Sequence, residues 1–358
     1  PALGSLGLMS LVGRDLVSHQ PPEIVRDLKH YCLAVAIFYL LATVPLMLLA
    51  SASGGSATVV GLTLVLILLE HLSSDTITIL NNLGRYLLAN VILFIKSGAW
   101  MVVFIVALWL LPEIATMESL LLFWAAACLA CVAVFFAVTR HWPWWTAGMA
   151  TPVPGWYRAR WRQATLLLLN DVSNNAALYV DRYVIVLFLG LEASGIYLFF
   201  WSAINAAFSV VQTGVVAAYR RRLIAAHGGS PSEFRTAFRS IFRQSLILTI
   251  LTAVGLVIVV PLVLPLLDQP EAMPFVPLLW VLIGFLFVRV GFDLAGQGLY
   301  AAHRDRTLVA TAIALLPASL VCNVALLPPL GLYGAAIAGI ASTAMILALR
   351  FHSLRAYL

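Results

Sequence analysis

Ten apolar stretches recur along the chain, at residues 31–50, 57–82, 86–111, 119–139, 163–188, 194–217, 243–267, 275–301, 307–327 and 332–350. Each is long enough to cross a hydrocarbon layer of about 30 Å as a helix. Polar or turn-forming clusters separate them, among them 51–56 (SASGGS), Pro112 with Glu113, 268–271 (DQPE) and 328–331 (PPLG). Apolar and polar residues do not alternate with the period of two that a membrane β-barrel requires. The pattern predicts an all-α polytopic membrane protein of about ten transmembrane helices, because in lipid a helix satisfies its own backbone groups.

The stretch 163–212 is apolar yet carries two polar stripes. On a helical wheel Asp171, Asn174, Asn175 and Arg182 fall within an arc of about 100°, and Ser202, Asn205, Ser209 and Gln212 form a similar face. The segment 190–195 (GLEASG) supplies the turn of the predicted hairpin. Unpaired polar groups in lipid cost several kcal/mol, so these stripes are expected to face other helices or a wet cavity.

Composition agrees: of 358 residues 62% are hydrophobic and 10% charged, against about 25% charged in soluble domains. Lys96, Arg182 and Arg289 lie within spans, and the remaining basic residues fall on alternate connections, the last group being Arg350 and Arg355. The intervening connections hold Glu113, Glu118, Glu192, Asp268 and Glu271. By the preference of basic loops for the cytoplasmic side, the C-terminus is expected in the cytoplasm. Basic loops over anionic lipid account for the net charge of +6 without nucleic acid. Cys32, Cys128, Cys131 and Cys322 sit in apolar runs, and the Cys128–Cys131 pair reads as small buried residues rather than a metal site.

The chain starts at Pro1, and 1–13 reads as the end of an earlier span, so one or two spans are expected to precede it. The expected organisation is an N-terminal helical lobe over 1–139, a cytoplasmic interfacial linker over 140–162 and a six-helix lobe over 163–358. The linker is dense in Trp142, Trp144, Trp145, Trp156 and Trp161, with Pro143, Pro152 and Pro154. Such rings beside arginines describe a segment lying at headgroup depth.

Three motifs bring a family into view: DRYVIVLFLGLEASGIY at 181–197, GRYLLANVILFIKSGAW at 84–100 and NVALLPPLGLYGAAIAGIAS at 323–342. They resemble segments of the Wzx-type lipid-linked oligosaccharide flippases, members of the multidrug/oligosaccharidyl-lipid/polysaccharide exporter superfamily. The resemblance implies two helical bundles, four visible spans in the first and six in the second. It also implies a bacterial cytoplasmic membrane and alternating access. The isoprenoid-linked glycan would move to the outer leaflet without cofactor or covalent chemistry.

Charges at span depth cost about 2.5–3.5 kcal/mol, so each needs a partner or a purpose. The candidate substrate-cavity residues are Lys96, Asp171, Asn174, Asn175, Arg182, Ser202, Asn205, Ser209, Arg289 and Gln297. The candidate ion-coupling residues are Glu70, Asp75 and Asp293. Arg289 and Asp293, four apart, either neutralise each other or face the cavity. One face of the 57–82 helix carries Glu70, Ser74 and Asn81, and another His71, Asp75, Thr78 and Asn82. Glu70 and Asp75 either exchange protons or are structural, one of them paired with Lys96. The acidic excess keeps a second reading open, an exporter of drugs or small solutes coupled to H+ or Na+. A membrane glycosyltransferase or polymerase ranks last, since the outward connections are short.

Overall fold

The computed structural model describes residues 4–52, 56–146, 155–267 and 270–357. The breaks expected at 51–56 and 268–271 fall partly outside these residues, and Asp268, Pro152 and Pro154 wholly so. The chain is an all-α polytopic membrane protein, and nine helices among the described residues are long and apolar enough to cross a membrane. One of them, Trp156–His227, has 72 residues, where a crossing needs about 20. Its backbone leaves helical geometry at Gly190, with φ 88° and ψ 176°, a region essentially open only to glycine. On a straight helix Arg182 and Trp201 would lie about 28 Å apart, yet the Arg182 guanidinium sits 4.2 Å from the Trp201 ring centroid. The two arms therefore fold back on each other. The expected turn over 190–195 shrinks to one residue, since the chain is helical again directly after Gly190.

The first compact unit is Pro1–Leu168. It contains α1 (Leu8–Asp15), α2 (Pro21–Ala52), α3 (Ala57–Asn82), α4 (Tyr86–Phe94), α5 (Trp100–Leu110), α6 (Met117–Val138) and the start of α7 (Trp156–Val211). A π turn, Ile95–Ala99, joins α4 to α5. Thr116 opens α6 by accepting the Ser119 amide at 3.2 Å, which fills one of the orphan donors of a helix start. Leu66 of α3 packs against Leu121 and Cys128 of α6.

The tryptophans of the 140–162 segment divide between surface and interior. Trp145 and Trp161 are exposed, whereas Trp142 and Trp156 are buried in the unit. Trp156 donates its indole N–H to Asp27 at 2.9 Å, and Arg160 reaches Asp15 at 2.9 Å and Asp27 at 3.4 Å. Asp27, 1% exposed, needs those donors, since an unpaired buried carboxylate is costly. Two of the five indoles thus serve the protein interior.

The second unit is Leu169–Leu358. After the remainder of α7 come a π turn (Gln212–Val216), α8 (Ala217–His227), α9 (Pro231–Val263), α10 (Leu278–Ala301), α11 (Asp305–Leu330) and α12 (Leu332–Leu354). Its core joins Phe200 and Ile204 of α7 to Leu282 and Leu286 of α10. The chain passes from α11 to α12 through Gly331, and a Cβ on Gly334 would lie 2.1 Å from the Leu326 carbonyl oxygen. Only glycine permits that approach.

Arg350, which the charge reading counted with the basic loops and ends, is a buried residue of α12. It is 2% exposed. Its Nε donates to Thr311 at 3.0 Å, one Nη donates to the Phe292 carbonyl at 3.2 Å, and its guanidinium lies 3.7 Å over the Phe292 ring. Lying at the end of an apolar run, it turns inward because α10 and α11 offer it acceptors and a ring.

Candidate substrate and ion sites

In the first unit, α3 presents two polar faces, as the spacing of its residues predicts. On one, Glu70 meets Lys96 of the π turn at 2.8 Å, and Lys96 also donates to Ser74 and, at 3.3 Å, to the Glu70 carbonyl. The Trp124 indole and the Cys128 thiol donate to the same Glu70 carboxylate, each at 3.3 Å. Lys96, a candidate cavity cation, is therefore buried and neutralised by a carboxylate from another helix.

The other face holds a relay. The Tyr31 hydroxyl donates to Asp75 Oδ2, and the His71 ring nitrogens meet Tyr31 (Nε2) and Tyr39 (Nδ1), each at 2.8 Å. With its only proton on Asp75, Tyr31 accepts from Nε2–H, which leaves Nδ1 to accept from Tyr39. A continuous chain of hydrogen bonds then runs from Tyr39 through His71 and Tyr31 to Asp75. His71 also lies 3.1 Å from Asp75 directly. Tyr31 and Tyr39 were absent from the sequence candidates. Their eight-residue separation on α2 was the available signal, weak among so many apolar neighbours.

In the second unit the first polar stripe is bound up locally. Asn170 donates to Asp171 at 3.0 Å, Asn174 to Asn170 at 3.1 Å and Asn175 to the Asp171 carbonyl at 2.7 Å. Ser209 donates back to the Asn205 carbonyl at 2.8 Å. Ser202 is exposed, and Asn205 and Gln297 are half-buried. Arg182 belongs to a different grouping from the residues it shares a stripe with.

Arg182 lies 4.4 Å over the Tyr179 ring and 4.2 Å from that of Trp201. Arg289 lies 3.9 Å over Phe208 and 5.5 Å from Trp201. Both guanidiniums are thus within cation–π range of one indole. Of the two alternatives for Arg289 and Asp293, mutual neutralisation is not seen as an ion pair among the described residues, and Asp293 accepts from Gln212 at 2.6 Å. Asp181 likewise serves the Tyr197 hydroxyl at 3.1 Å and the Arg182 backbone amide at 2.8 Å rather than the Arg182 guanidinium. Arg182 Nε and one Nη, and one Arg289 Nη, are buried without a hydrogen-bond acceptor.

No family model matches the sequence, and no curated protein does. Solved structures do match. One is an outward-facing multidrug resistance MATE family transporter of the MOP superfamily, 12% identical over 99% of this chain and 84% of that one, with a TM-score of 0.74. A MATE structure in the straight conformation is 14% identical, with the same coverage and a TM-score of 0.74. An inward-facing MATE family transporter is 14% identical over 99% and 87% of the two chains, with a TM-score of 0.60. The chain has the fold of the MATE transporters of the MOP superfamily. The matched structures are MATE transporters and not Wzx flippases.

Proposed function

We propose that this chain is a multi-pass transporter that works by alternating access and holds the anionic part of its cargo on Arg182 and Arg289. The observation that carries this is their shared position at Trp201 with buried N–H groups that meet no acceptor. An unmet buried donor costs about 1–3 kcal/mol, more when charged, so an incoming anion would gain that energy. Two readings of the cargo follow. The fold likeness to multidrug transporters supports an exporter of drugs or small solutes, coupled to H+ or Na+ through Glu70, Asp75 or Asp293. The arginine pair supports a flippase for an isoprenoid-pyrophosphate-linked glycan in a bacterial cytoplasmic membrane, with the C-terminus in the cytoplasm.

The test is Arg182→Ala and Arg289→Ala in the full-length protein, with expression measured alongside, in a deletion strain. Loss of surface polysaccharide with normal drug resistance identifies the flippase, and drug sensitivity with normal polysaccharide the exporter. If both traits stay unchanged at wild-type expression, the arginine site is wrong.

A further inference from the structure

Two rungs, one helical turn apart, join the second arm of α7 to α10. On the first, the Arg289 guanidinium lies over the Phe208 ring at 3.9 Å. On the second, Gln212 donates its Nε2–H to Asp293 Oδ2 at 2.6 Å. The step between rungs is one turn on each helix, so both run along matching faces. The same spacing sets Asp293 beside Arg289 on α10, close enough for a carboxylate and a guanidinium to pair. Among the described residues no such pair forms, and one Arg289 Nη is buried without an acceptor. The two charges still act on each other through space, which supports a buried cation without occupying its N–H groups. Gln212 also opens the π turn Gln212–Val216, a widening of the helix that is frequent at functional sites.

We propose that Gln212 is a positioning residue of the anion site at Arg289: by holding the Asp293 carboxylate, it keeps an internal anion off the guanidinium that the anionic group of the cargo takes. A guanidinium–carboxylate bond in a dry interior is strong, so without Gln212 the cargo has to displace Asp293 first. A carboxamide suits the task, since it donates to the carboxylate and leaves the negative charge in place to balance Arg289. The positioning role rests on the reading of Arg289 as a cargo residue, whereas the hold of Gln212 on Asp293 does not.

Two measurements on the full-length protein, purified in detergent, separate these parts. The first is the unfolding midpoint, which involves no cargo. Removing Gln212 hands Asp293 to Arg289, so Arg289→Met should lower the midpoint by roughly 3 °C more in the Gln212→Leu background than in the wild type. An equal effect in both backgrounds overturns the proposal. The second is calorimetric binding of inorganic pyrophosphate at constant ionic strength. Arg289→Ala should weaken it, Gln212→Leu should weaken it about tenfold, and Asp293→Asn added to Gln212→Leu should restore it by removing the competitor. Weakening without restoration marks Gln212 as a structural residue only and overturns the proposal. Gln212→Met, which keeps the length of the side chain, takes the place of Gln212→Leu where that variant fails to fold. If wild type and Arg289→Ala bind pyrophosphate alike, or neither binds it, the cargo reading of Arg289 is overturned and the positioning role with it, even where the midpoints show that Gln212 holds Asp293.

Discussion

Gln212 donates to the Asp293 carboxylate at 2.6 Å and so takes the partner that helical spacing would hand to Arg289. Gln212→Leu should leave that carboxylate without its donor and cost about 1–3 kcal/mol. The double variant Gln212→Leu/Asp293→Leu should regain most of the loss, because removing both partners of a polar pair is nearly neutral. Thermal unfolding of the purified protein reads both. A double variant no more stable than the single one would show that the bond is not what holds this part of the unit.

Lys96 and Glu70 form an ion pair across helices, with side chains 9% and 30% exposed. Lys96→Ala is expected to reduce the folded yield, by on the order of 3 kcal/mol of stability, since it strands a partly buried carboxylate. Lys96→Met together with Glu70→Leu should restore the yield. Size-exclusion profiles of the fluorescently tagged protein give the comparison, and normal yield of the single variant would refute it.

Two nearby glycines should behave differently. Gly190→Ala forces a side chain into backbone space that only glycine occupies freely and should destabilise by about 1–3 kcal/mol. Gly195 is already helical, with open space where a Cβ would go, so Gly195→Ala should be neutral or mildly stabilising. Unfolding midpoints of the two variants decide the matter.

Tyr31→Phe deletes the hydroxyl that links His71 to Asp75. If Asp75 takes up the coupling ion, proton-driven export should fall at least tenfold while folded yield stays near wild type. Tyr39→Phe, at the far end of the chain, should have a smaller effect. Initial export rates under an imposed pH gradient test this, and an unchanged rate in Tyr31→Phe would remove the Tyr31 hydroxyl from the coupling scheme, leaving the direct 3.1 Å contact of His71 with Asp75 as the only link.

What was legible in the sequence was whatever depends on a single helix. The apolar stretches located the spans, because crossing length is a local property. The i, i+4 spacing on α3 placed Glu70 with Ser74 and His71 with Asp75 on separate faces. Pairings between helices were legible only in part: Glu70 or Asp75 stood as alternative partners for Lys96, and the structure selects Glu70, whereas the bond from Gln212 to Asp293 on another helix was not foreseen. The inward turn of Arg350 was hidden for the same reason, since its position near the end of an apolar run says nothing about acceptors on α10 and α11. The shared indole of Arg182 and Arg289 was equally hidden, because a tryptophan in an apolar stretch looks like any other core residue.

A reversal made at one residue leaves no slack. Leu187 and Leu191, on either side of Gly190, are both largely uncovered by protein, and Glu192 beside them is exposed as well, so the tip sets apolar side chains next to a charge. Any tilt of one arm reaches the other through a joint a single peptide long and through the side chains the arms share, Tyr197 on Asp181 and Arg182 on Trp201.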